Sequence, residues 1–147
     1  MPTLAANKRI RYDYEILESF EAGLQLTGQE VKQVRAGFMK LQGAYVTMHG
    51  GEAFLLNAHV PKYPPAGPLP SYDPYRSRRL LLHRRELLKI LGKLAQKGLT
   101  LVPLSVYTKG SRIKIEIGIA RGKKQFEKRE DIKKKETDRE IRRSLKG

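Results

Sequence analysis

The chain has 147 residues, with 30 lysines and arginines against 15 aspartates and glutamates, a formal charge of +15 and a pI near 10.2. That length suits one domain with an appendage, and a field of that sign attracts polyanions, nucleic acid above all. The lack of cysteine excludes disulfides and thiolate metal sites and makes the cytoplasm the expected compartment; no apolar run approaches the roughly 20 residues of a membrane span, and the start, MPTLAANKRIRYDYE, has no apolar signal-peptide core.

In chain order, residues 11–23 (RYDYEILESFEAG) come first. Tyr12, Tyr14 and Ile16 alternate with Asp13 and Glu15, which predicts a half-buried strand. The alternation slips by one residue at Ile16-Leu17, so a bulge or bend is expected there. Gly23 reads as a turn. After Gly28, Val31 and Val34 lie one helical turn apart, and Gly37 is placed to stop that short helix. AYVTMH and EAFLLNAHV form a hairpin around Gly50-Gly51.

Residues 61–79 hold six of the eight prolines and read as a long loop, because proline cannot donate to a central ladder. LLLHRRELLKILGKLAQKG (residues 80–98) predicts the one long helix. Leu87, Leu88, Ile90, Leu91 and Leu94 form its apolar face, Lys89, Lys93 and Lys97 its basic face, and Gly98 its cap. LTLVPLSVY and RIKIEIGIA then pair across Lys109-Gly110, with Pro103 calling for an edge position or a bulge. The sum is a mainly β domain over residues 1–120, an oligonucleotide-binding-fold-like antiparallel barrel of about six strands with two or three helices.

Residues 121–147 break the pattern, with only Phe126, Ile132, Ile141 and Leu145 as large apolar side chains. The basic excess spans both parts: residues 1–120 hold 18 basic and 9 acidic groups, and residues 121–147 hold 12 and 6. In the tail, Glu130 and Lys134, Asp131 and Lys135, and Asp138 and Arg142 stand at the acid-before-base i, i+4 spacing that supports a helix, each pair by about 0.2–0.5 kcal/mol. No apolar stripe would dock such a helix. A basic C-terminal tail, disordered alone and helical along a polyanionic groove, is the expectation.

Catalytic chemistry finds no footing. His49, His59 and His83 lack metal-ligand spacing. Asp13, Glu15, Glu18 and Glu21 crowd one strand, but alternation sends Asp13 and Glu15 to solvent, near Lys8, Arg9 and Arg11. No phosphate-binding glycine loop is present. The chain is therefore read as a non-enzyme with no catalytic residue, metal or cofactor.

Three basic groups stand out in the body: Lys8, Arg9 and Arg11; Arg76, Arg78, Arg79, Arg84 and Arg85; and Lys109, Arg112 and Lys114. An arginine fork suits phosphate, although solvated surface is the competing reading. Tyr12, Tyr14, Tyr72 and Tyr75 lie beside these groups, either to stack on unpaired bases or to fill the barrel core.

The stretches Asn7 to Gly37 (with EAGLQLTGQEVK), Asp73 to Leu87, Lys97 to Tyr107 and Ile117 to Arg129 (with IGIARGKKQFEKR) together resemble the small protein B family, the bacterial SsrA-binding proteins that bind transfer-messenger RNA. The resemblance runs nearly end to end and in order. It implies a barrel that holds the tRNA-like domain of transfer-messenger RNA and delivers it to stalled ribosomes in trans-translation. The resemblance also implies that elongation factor Tu joins through the RNA complex and that the tail enters the empty mRNA channel by the small-subunit decoding centre.

By matching position, the resemblance implies RNA contacts for Asn7, Arg9, Tyr12, Glu21, Arg35, Leu81 and Lys114. It implies a decoding-centre role for Gly122, Lys123, Lys124, Phe126, Glu127, Lys128 and Arg129. Glu21, being acidic, is expected to accept hydrogen bonds from base edges or 2′-hydroxyls, and Leu81 to pack on a nucleoside. This sequence departs from the family where Tyr12 replaces a common His, Glu127 a usual Asp and Thr108 a common aromatic. A generic single-stranded RNA-binding barrel and a ribosomal structural protein are the competing functions. An aromatic content of 7% is low for the long stacking platforms of the first, and the second needs no separate tail.

Overall fold

Three long strands make the frame of the molecule: β2 (Tyr14–Leu24), β6 (Leu99–Lys109) and β7 (Arg112–Gly122). The computed structural model describes residues 2–67 and 71–123. Four shorter strands complete the sheet, β1 (Thr3–Ala6), β3 (Tyr45–His49), β4 (Glu52–Leu56) and β5 (Arg78–Leu81), with helices α1 (Ile10–Asp13), α2 (Gly28–Arg35) and α3 (Arg84–Leu94). Every pairing is antiparallel, in the order β1-β6-β7-β2-β5-β4-β3. The sheet curls until β3, at one edge, comes against β6, the neighbour of the other edge. No ladder joins β1 to β3 among the described residues. The result is the expected barrel, curled but not closed.

The alternation in β7 decides its faces. Ile113, Ile115, Ile117 and Ile119 all enter the core, with Ala22, Val106 and Leu101 from the flanking strands and Ile90 from α3. A second, smaller cluster lies on the outer face, where Val102, Leu104 and Ala120 are covered by Ile10, Tyr14 and Ile16. Gly118 permits that cover. A Cβ there would stand 3.0 Å from Ile16 Cγ2 and 3.3 Å from Leu104 Cδ1, closer than side chains pack.

Several sequence expectations hold in detail. The slip at Ile16-Leu17 is a register shift between Ile16 and Glu18 against β7. Helix α2 runs to Arg35, and the hairpins form at Gly50-Gly51 and after Lys109. Pro103 sits at a bulge, the register shifting between Pro103 and Ser105, although β6 lies between β1 and β7 and is no edge.

Others are corrected. Residues 10–13 form a helical turn, so the strand begins at Tyr14, and Gly23 lies inside it. Thr3–Ala6 pairs with β6 as an unforeseen strand. Arg78–Leu81 is a strand between β2 and β4, so the long helix begins at Arg84, after Glu86 accepts a hydrogen bond from the His83 backbone at 3.2 Å. Its apolar face is narrower than predicted: Ile90 is buried while Leu88 is 58% exposed. Glu15 pairs at 2.5 Å with Arg121 across β2 and β7, a partner far along the chain.

Candidate nucleic-acid interface

One transverse row of the sheet brings predicted residues together. Tyr107 of β6 lies opposite Lys114 of β7, Lys114 opposite Gly23 of β2, and Gly23 opposite Leu81 of β5. At strand spacings of about 4.8 Å the row is roughly 15 Å long. Glu21 stands two residues from Gly23, hence on the same face. Over this row opens a groove of about 400 Å³ lined by Arg35, Leu81, Arg112 and Lys114, among others. Arg35 reaches it from α2, where its Nη2 donates to the Ser111 carbonyl at 2.6 Å and ties the helix to the β6–β7 turn.

Leu81 is half exposed, at 50%, and its position depends on Gly23. A Cβ on Gly23 would meet Leu81 Cβ at 3.2 Å and Cδ1 at 3.4 Å, so the glycine lets the leucine lie across β2. Gly23→Val is expected to cost about 1–3 kcal/mol of stability by overpacking. Thermal unfolding checks this, because most of the cost should vanish when Leu81 is also changed to Gly, which removes the Cβ that would be met first. Additive effects would mean that the two side chains do not meet.

Glu21 is the acidic member of the surface. Tyr107 donates to its Oε2 at 2.5 Å and Lys109 Nζ lies 3.1 Å from its Oε1. The Tyr107 hydrogen bond, then that of Lys109, holds the carboxyl below its ordinary range despite some desolvation. Burial, and then Glu21, push the Tyr107 phenol up.

Asn7, Arg9 and Tyr12 form a second group. Asn7 donates through its backbone N–H to Leu104 O at 2.9 Å and through Nδ2 to Pro103 O at 3.2 Å, holding the β6 bulge. The Arg9 guanidinium lies 5.2 Å from the Tyr12 ring centroid, a cation–π arrangement on the helical turn α1. Asn7 and Arg9 line a shallow groove of about 200 Å³ with Lys8 and Gln42. This group sits about three residues along β6 from Tyr107, or roughly 10 Å.

The second basic group of the sequence divides. Arg78 is fully buried, as is Glu30 at 1% exposure. Arg78 Nε donates to Glu30 Oε2 at 2.8 Å, and its other nitrogens donate to the carbonyls of Ala58, Arg76 and Pro74. Arg76 pairs with the same carboxylate, and Tyr72 donates to it at 3.2 Å. Glu30 also closes a capping box with Thr27 at the start of α2. These three side chains therefore tie the proline-rich loop to the barrel instead of meeting phosphate. Burial opposes the Glu30 charge, but hydrogen bonds from Arg76, the Thr27 backbone and Arg78 outweigh it and bring the carboxyl down to about 2. Arg79, by contrast, is exposed and paired with Glu52.

Of the tail positions, Gly122 pairs with Tyr14 in the sheet, and Lys123 donates its backbone N–H to Asp13 O at 2.9 Å. Lys124, Phe126, Glu127, Lys128 and Arg129 lie outside the described residues. Tyr107 escaped the sequence reading, since its value lies in a partner 86 residues away. Among the described residues no cluster of His, Asp or Glu suits a metal, and no helix is long and apolar enough to cross a membrane.

The SmpB protein family model matches residues 4–147. The chain belongs to the SmpB family. Relatives of that family include the SsrA-binding protein of Acaryochloris marina, 51% identical over 97% of this chain and 93% of the relative, and that of Nostoc punctiforme, 48% identical over 98% and 93%. A solved chain from the structure described as "tmRNA-SmpB: a journey to the center of the bacterial ribosome" superposes with a TM-score of 0.66. It is 47% identical, covering 82% of this chain and 84% of that one. The SmpB family is one of RNA-binding proteins and not of enzymes.

Proposed function

We propose that the chain binds the tRNA-like domain of transfer-messenger RNA and delivers it to stalled ribosomes in trans-translation, where incomplete peptides are tagged. The observation that carries this reading is membership of the SmpB family over nearly the whole length, joined to a solved relative from a tmRNA-SmpB ribosome structure. The row from Tyr107 to Leu81 supports it. Arg35 and Lys114 supply cations for phosphate, Leu81 offers an apolar seat for a nucleoside, and Glu21 rejects phosphate while accepting donors. Asn7, Arg9 and Tyr12 extend the surface.

The RNA complex then enters the vacant site of the ribosome with elongation factor Tu, in the cytoplasm where ribosomes work. The tail, with Gly122, Lys123, Lys124, Phe126, Glu127, Lys128 and Arg129 at its root, passes the decoding centre into the empty mRNA channel.

An equilibrium titration at several salt concentrations tests the reading. The tRNA-like domain should bind more tightly than an ordinary tRNA or an unstructured oligonucleotide, and the preference should survive added salt. Equal affinities that collapse together with salt would reduce the interaction to counterion release and favour a generic single-stranded RNA binder.

A further inference from the structure

The two groups that hold Glu21 differ in kind. Lys109 reaches it from the end of β6 on a long stem, its side chain 57% exposed, where water competes for the ammonium. Tyr107 is 9% exposed, fixed between Thr3 of β1 and Lys114 of β7, with only two side-chain torsions. Its phenol, pushed up by burial and by Glu21, keeps its proton and stays a donor, and the depressed Glu21 stays an acceptor. A carboxylate has about four acceptor positions. Tyr107 and Lys109 take one on each oxygen, which leaves a position on each for a donor from outside.

We propose that Tyr107 is a positioning residue of the RNA interface: its phenol holds the Glu21 carboxylate in the one orientation from which the open positions meet N–H or O–H donors of a nucleoside seated near Leu81. The inference rests on the RNA-binding reading above. Tyr107 need not touch RNA itself. It removes rotamer freedom that Glu21 would otherwise lose on binding, which is how preorganisation raises affinity. It also makes Glu21 a reader of shape, because a carboxylate free to turn would accept donors from many directions.

The test uses the full chain with the tRNA-like domain of transfer-messenger RNA and an ordinary tRNA as probes, across several salt concentrations. Tyr107→Phe keeps the ring and loses only the hydroxyl. It should weaken binding of the tRNA-like domain about tenfold, as expected for loss of a hydrogen bond to a charged group. The slope against salt should not change, since no phosphate contact is lost. In a Glu21→Ala background, which leaves the phenol no side-chain acceptor, the same change should add less than about twofold, because coupled groups are non-additive. Lys109→Ala should cost less than about threefold.

Wild-type affinity in Tyr107→Phe, or a tenfold loss that persists with Ala at position 21, would overturn the proposal. A larger loss in Lys109→Ala than in Tyr107→Phe would also overturn it, by assigning the positioning to the ammonium. A melting temperature carried far down by Tyr107→Phe would show a structural role instead. If the wild-type chain shows no preference for the tRNA-like domain, the RNA reading fails, and this inference fails with it.

Discussion

Changing Arg78 to Ala should destabilise the barrel by about 3–5 kcal/mol, the cost of breaking one side of a buried ion pair. For a domain of this size that is a large part of the usual 5–15 kcal/mol, and it should lower the melting temperature by roughly 10–20 °C. The cost follows from the geometry. Arg78 satisfies the carbonyls of Ala58, Arg76 and Pro74 as well as Glu30, and its loss leaves buried acceptors unpaired beside a cavity. Arg79→Ala, on the neighbouring exposed residue, should cost under about 1 kcal/mol. Urea unfolding of the two variants separates them, and equal losses would show that the Arg78 network carries no special share.

The same network sets the acid limit. The folded Glu30 carboxyl, at about 2, lies below its ordinary value of 4.5. Its contribution, about 3 kcal/mol by linkage, is therefore present above pH 4.5 and is lost as pH falls toward 2. Glu30→Gln should flatten that part of the stability profile, while a profile that keeps its slope would locate the acid sensitivity elsewhere.

The second large effect concerns the tail. A chain ending at Lys123 should fold and should bind the tRNA-like domain within about fivefold of the full chain, having lost only the tail's counterion-release contribution. On stalled ribosomes it should tag no more peptide than a reaction without the protein. The cut belongs after Lys123 and not after Ala120, because the earlier cut removes the Arg121 pair with Glu15, the Gly122 pairing and the Lys123 hydrogen bond to Asp13. Full tagging by the shortened chain would sink the idea of a separate device, and so would its failure to fold.

Where a residue's environment is set by its neighbours in sequence, the reading from sequence succeeded. The isoleucines of β7 alternate because the strand has one buried face, and the bulge after Ile16 shows as a slip in that rhythm. Short strands gave no such signal. Thr3–Ala6 and Arg78–Leu81 have four residues each, and pairing partners alone make them strands. Residues 10–13 kept an apparent alternation with Tyr14 and Ile16 that a single helical turn also satisfies.

Charge misled at Arg78. The three arginines of RSRR look alike in sequence, yet only the fold shows that Arg76 and Arg78 meet Glu30, Arg78 in the interior, while Arg79 stays outside with Glu52. At the candidate site, resemblance supplied Arg35, Leu81 and Lys114, which α2 and the sheet together bring around one groove. Tyr107 carried no such label, and Gly23 looked like a turn when its role is to clear space for Leu81.

Strand β7 contributes Lys114 to the groove and ends at Gly122 beside Tyr14. Those eight steps of paired backbone measure roughly 27 Å. The strand is hydrogen-bonded on both sides, by β6 and β2, so it behaves as a stiff rod and not as a tether. Whatever binds the body at Lys114 would thereby be held at a set distance from Gly122, at the far end of β7. β7 works as a gauge block: an insertion or deletion of one residue within it would shift one end against the other by about 3.4 Å and turn its side chains to the opposite face.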